Sequence, residues 1–158
     1  MRILTWAVLP LASGCFLYDL SSPVLGASTS DWFEVAPVTR PVPQVMEIAR
    51  EAVRHSGFKL LPSDTTDRVF TEWIVQLSAH WREGFRTKLE LEVVKLEPGP
   101  GVKVRVRGIR EINENGKNPT SASQAHWINA GYDDKQKEKI PEYALRVHQV
   151  LKLRLLEN

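Results

Sequence analysis

Between residues 68 and 107 the chain alternates apolar and polar side chains in twos. Val69, Thr71, Trp73, Val75 and Leu77 share one face of a first run. Phe85, Thr87, Leu89, Leu91 and Val93 do so in a second, and Val102, Val104 and Val106 in a third. In the second and third runs the intervening positions are Arg86, Lys88, Glu90, Glu92, Lys103, Arg105 and Arg107. A period of two predicts strands, and one oily face against one charged face predicts an antiparallel sheet that is wet on one side. Glu97-Pro98-Gly99-Pro100-Gly101 is turn chemistry and makes the second and third strands a hairpin. Glu90 and Glu92 then come near Arg105 or Arg107. After Val106 the apolar set slips by one, to Ile109, which predicts a bulge at Gly108.

The oily face needs a cover, and the pattern offers one on each side of the sheet region. From about Pro43 to Ser56, Val45, Ile48, Ala49, Ala52 and Val53 recur at helical spacing, with Glu47, Arg50, Glu51 and Arg54 opposite. Proline suits a first helical turn, and Gly57 can end the helix with Phe58 folding back onto it. A second helix is predicted from about Pro141 to Leu156, with a stripe of Ala144, Val147, Leu151 and Leu155. Asp133-Asp134 can cap a short turn before it, broken near Ile140 because Pro141 cannot sit in a helix interior. Residues 31–36, 58–61 and 126–128 read as short extended pieces. The expected fold is therefore α+β and helix-grip-like: a three- to four-stranded antiparallel sheet with two helices packed on one face, in a single domain over 31–158.

Composition agrees with one globular domain: 158 residues, 42% hydrophobic and 25% charged. A net charge of +2, with Lys and Arg interspersed among Glu, gives no reason to expect nucleic acid. The single cysteine excludes an internal disulfide, and its position is informative. Residues 1–14 have Arg2, an apolar stretch from Ile3 to Ala12, then Ser13 and Gly14, the outline of a signal peptide. Leu11-Ala12-Ser13-Gly14-Cys15 resembles the lipobox of bacterial lipoproteins, in which the cysteine becomes the first mature residue and carries the acyl chains. That resemblance makes Cys15 the lipid attachment site and residues 15–30, rich in Ser, Gly and Pro, a lipidated flexible tether. Phe16 after the cysteine, where the sorting rule puts Asp for inner-membrane retention, favours by analogy the outer membrane, with the domain facing the periplasm.

Catalytic motifs are missing. There is no GxGxxG, phosphate loop, HExxH, CxxC or GxSxG, and His55, His80, His126 and His148 have no ligand-like spacing. No metal, cofactor or enzymatic activity is expected. The Ser78–Gly84 connection is too long for a tight turn and contains Trp81 and Arg82, residue types favoured at binding hot spots. Trp81 and Arg82, with Trp127, are the candidate partner-binding residues; the alternative is that Trp81 closes the end of the core.

The order helix, antiparallel run, helix, with Ser56-Gly57-Phe58, Val69-Phe70-Thr71-Glu72-Trp73, Trp81-Arg82-Glu83-Gly84-Phe85-Arg86, Trp127 and an aspartate-led terminal helix, resembles the BamC (NlpB) family of outer-membrane lipoproteins. The likeness covers roughly residues 45–155, and that family has two grip domains where this chain has one. The resemblance implies a non-enzymatic lipoprotein that docks an envelope protein in outer-membrane protein assembly. A lipid- or lipopolysaccharide-binding lipoprotein, similar to LptE, is the alternative, and a helix–sheet crevice wide enough for an acyl chain would favour it.

Overall fold

The structure is a computed structural model and describes residues 28–156. The expected signal peptide over 1–14, Cys15 and the expected tether as far as residue 27 lie outside the described residues. The elements in chain order are β1 (Ser28–Thr29), β2 (Phe33–Glu34), α1 (Val42–His55), β3 (Arg68–Phe70) and β4 (Ile74–Gln76). They continue as β5 (Phe85–Lys95), β6 (Val102–Asn113), β7 (Trp127–Asn129), the one-turn α2 (Asp134–Lys137) and α3 (Glu142–Leu156). All strand pairs are antiparallel.

The hairpin β5–β6 is the spine of the sheet, paired without interruption from Phe85↔Ile112 to Lys95↔Val102. On its inner face Leu89, Leu91, Val93, Val102, Val104 and Val106 are buried. They meet Val45, Met46, Ala49, Ala52 and Val53 of α1, and Ala144, Val147, Leu151 and Leu155 of α3. Each large side chain so buried contributes about 1.5–3 kcal/mol. The architecture is thus α+β, an antiparallel sheet with two helices on one face. Both helix ends follow the sequence logic. Gly57 has φ +85°, and Phe58 N–H returns to the Val53 carbonyl at 3.3 Å with its ring buried. Asp133 accepts from the Gln136 N–H at 3.2 Å and starts α2, which gives way before α3.

Three expectations need correction. The sheet has seven strands rather than three or four, because short segments join its edges: β1, β2 and β7 pair with β6, while β3 and β4 pair with β5. One of them, Ser28–Thr29, lies within the stretch expected to be tether. Second, there is no bulge at Gly108; it stays in register opposite Leu89 on the inner face. The apolar pattern slips there only because positions 108 and 110 of the inner face are occupied by Gly and Arg.

The bulge lies instead in the first run, which is two strands. Val69 pairs with Leu91 in β3, but Ile74 pairs with Thr87 in β4, so one extra residue is inserted between them. Thr71 N–H donates to the Leu89 carbonyl at 3.2 Å, and Leu89 N–H donates back to the Thr71 hydroxyl at 2.9 Å. That hydroxyl in turn donates to the Glu72 carbonyl at 3.0 Å. The extra residue reverses parity. Ile74 therefore packs against the core, and Trp73, expected there, turns to the charged face.

Candidate functional site

The charged face of the sheet is organised as stacks and ion pairs. Arg86 has Trp73 on one side at 4.4 Å and Trp127 at 5.0 Å, and it is hydrogen-bonded to the buried carboxylate of Glu111. Lys88 also lies 4.8 Å from the Trp73 ring. Further along, Trp32 contacts Arg105 and Arg107 at 4.6 and 4.5 Å. Arg107 pairs with Glu90 at 2.6 Å, and Arg105 donates to Glu92 at 2.8 Å, as the hairpin register predicts. Arg68 also reaches Glu92, at 3.2 Å. Burial pushes the Glu92 carboxyl upward, but the hydrogen bond and charge of Arg105, and then Arg68, outweigh it and hold it below its ordinary value. Arg86, Arg105 and Arg107 each have a carboxylate and an aromatic partner, so the face is a closed polar layer.

Trp127, half-buried in β7, belongs to this layer. Trp81 and Arg82 are elsewhere, together on the 78–84 loop at the end of the sheet where β5 begins. Trp81 is 58% exposed, donates from Nε1 to the Glu114 carbonyl at 3.3 Å, and has the Arg82 guanidinium 4.3 Å from its ring centroid. Arg82 is ion-paired with Glu114 and has φ +59°, a left-handed conformation uncommon for a residue with a side chain. The loop is held in this form from both sides: the Arg82 carbonyl accepts from Gln136 Nε2 at 3.3 Å, and Ser78 Oγ donates to Glu83. Of the three candidate partner-binding residues, two are brought together and the third is on another face.

Beside Trp81 a cleft of about 410 Å³ opens between this loop and α2. Its lining includes Arg82, Glu83, Phe85, Arg110, Gln136 and Lys139. Arg110 is the residue that the sequence reading missed. It lies on the inner, oily face of β6 and is 1% exposed. Its guanidinium stacks on Phe85 at 3.6 Å from the centroid, and Nη2 donates to Gln136 Oε1 at 2.9 Å. Nε and Nη1 are buried with no hydrogen-bond partner. Burial pulls the guanidinium below its ordinary value, against the opposing influence of Tyr143 and Glu142. The one available signal was parity, since the β5–β6 register places position 110 opposite Thr87 on the core side.

The histidines do not converge. His55, His80 and His126 are exposed; His126 lies 3.9 Å from Glu114, while His148 Nε2 contacts the Glu34 carbonyl at 3.1 Å. Among the described residues no group of three or more His, Cys, Asp or Glu is close enough to hold a metal ion, and no helix is long and apolar enough to cross a membrane. In comparisons with known protein families and with curated proteins, nothing matches the chain.

Proposed function

We propose that the chain is a bacterial envelope lipoprotein, anchored through an acylated Cys15, whose domain is a non-enzymatic interaction module. The reading of that role as outer-membrane protein assembly rests on the resemblance of the sequence to the BamC family, and the order helix, antiparallel sheet, helix is consistent with it. The carrying observation is the exposed Trp81 beside Arg82, on a loop fixed in a costly backbone conformation by Glu114 and Gln136. An aromatic and an arginine, both pre-positioned, lose little freedom on docking and are the residue types that dominate binding energy.

The lipid-carrier reading finds less support. The helix–sheet interface is filled by Val45, Ala49, Val53, Leu89, Val104, Val147 and Leu151, all at 0% exposure. An acyl chain would have to displace them.

The test is a photo-crosslinking residue at position 81, and separately at exposed Lys59, in the tagged protein in its native membrane. An adduct with an outer-membrane assembly protein from position 81 and not from 59 is expected. Recovery of the protein alone from both positions would refute the docking role. For the anchor, Cys15→Ser is expected to abolish lipid processing and membrane association, and unchanged behaviour of that variant would overturn it.

A further inference from the structure

A guanidinium that is out of contact with solvent and bonded only to a neutral amide is an incomplete arrangement, because a buried charge requires a counter-charge as well as hydrogen bonds. Around Arg110 the acids that line the cleft are otherwise engaged: Asp133 caps α2 and Glu83 accepts from Ser78. The other basic residues of the lining, Arg82, Lys135 and Lys139, add to the positive field. Gln136 covers the guanidinium with a neutral amide, which brings an acceptor but no counter-charge. Its oxygen takes one N–H of Arg110, and its Nε2 is spent on the Arg82 carbonyl.

We propose that this cleft binds a carboxylate, which takes the place of the Gln136 amide and gives Arg110 the hydrogen-bonded counter-ion that Glu142, paired with Arg146, does not supply. Arg110 is the cation at the floor, and a flat, small anion suits a guanidinium whose one face is closed by Phe85. The site goes beyond the docking role, since a free carboxylate can fill the cleft with no protein on Trp81.

The experiment follows the Arg110 side-chain N–H resonances and the thermal midpoint of the full chain at constant ionic strength. The probes are sodium acetate, sodium phosphate, and an N-acetylated tripeptide with either a free or an amidated C-terminus. Acetate or the free-acid peptide is expected to raise the midpoint and shift the Arg110 signals, because a ligand stabilises the state it binds. Arg110→Met, an uncharged replacement of similar reach, is expected to weaken the response about tenfold or more, the scale of a hydrogen bond to a charged group. Gln136→Glu supplies the carboxylate from within the chain, so it is expected to raise the midpoint unaided and to abolish the response to added acid. A larger response to the free-acid peptide than to acetate, absent with the amide, assigns a chain terminus as the source; a response to acetate as large assigns a small acid. No response in the natural protein, an undiminished one in Arg110→Met or Gln136→Glu, or a phosphate response equal to that of acetate would each overturn the proposal.

Discussion

The carbonyl oxygen of Ile140 lies 2.6 Å from where a Cβ on Gly108 would stand, so the turn leading into α3 closes directly on the backbone of β6. On the same residue, Ser30 donates its N–H to the Gly108 carbonyl at 2.8 Å and accepts the Gly108 N–H at 2.9 Å. The atom a Cβ would strike is main chain, which has no flexible end that can swing away. Gly108→Ala is expected to cost about 1–3 kcal/mol, the range for overpacking a filled interior. Urea unfolding with an unchanged slope would measure it, and a midpoint equal to that of the natural protein would mean that the Ile140 turn yields freely.

Thr71 supplies through its side chain the acceptor that the bulge takes from the ladder. Thr71→Val keeps the shape and leaves the Leu89 N–H, on a fully buried residue, without its acceptor. The expected loss is about 1–3 kcal/mol. Amide exchange at Leu89 should accelerate more than at Leu91, which the bulge does not touch.

Arg86 neutralises Glu111, whose side chain is 4% exposed. Removing one partner of such a pair leaves a buried, uncompensated charge, so Arg86→Ala is expected to destabilise by about 3–5 kcal/mol. Lys88→Ala, which removes a stack on Trp73 but orphans no acid, should cost about 1 kcal/mol or less. Parallel thermal melts of the two variants decide the ranking, and the double variant Arg86→Met/Glu111→Leu should recover much of the loss.

Glu92 gives a pH dependence whose sign follows from its lowered pKa. The unfolded chain takes up the proton first as pH falls, at the ordinary glutamate value of 4.5. Stability from Glu92 is therefore complete above that value, and it declines as pH drops through the lower folded value. Glu92→Gln should lose stability at neutral pH and show a flatter acid limb in a plot of midpoint against pH. An acid limb identical to that of the natural protein would remove Glu92 from the account.

The hairpin, both long helices, the Gly57 stop and the Asp133 cap were readable because each rests on a local rule. The regular alternation of Val69, Thr71, Trp73, Val75 and Leu77 was misleading for a physical reason. A bulge changes parity without changing composition, and in Trp73-Ile74-Val75 three apolar residues in a row let either parity look sensible. Around Gly108 the error ran the other way: the register never slipped, but Gly and Arg at core-facing positions imitated a slip. Arg110 also concealed the cleft, since an arginine is expected on the wet side and only the pairing with Thr87 turns it inward. Trp81 and Arg82 stood out by residue type, whereas the partnerless nitrogens of Arg110 depend on long-range packing and leave no trace in local pattern.

The far edge of β6 is occupied piecemeal: by Ser28–Thr29, by Phe33–Glu34, by a bridge from Val38, and by Trp127–Asn129 arriving from the other end of the chain. A long, bare strand margin is a template on which a neighbouring molecule can add its own strand and begin a fibre. Here no continuous row of free amides is offered along that margin, and each patch is too short to nucleate pairing by itself. Addition of a neighbouring strand along that margin is thereby disfavoured, at the expense of a sheet whose border closes only when distant parts of the chain have come home.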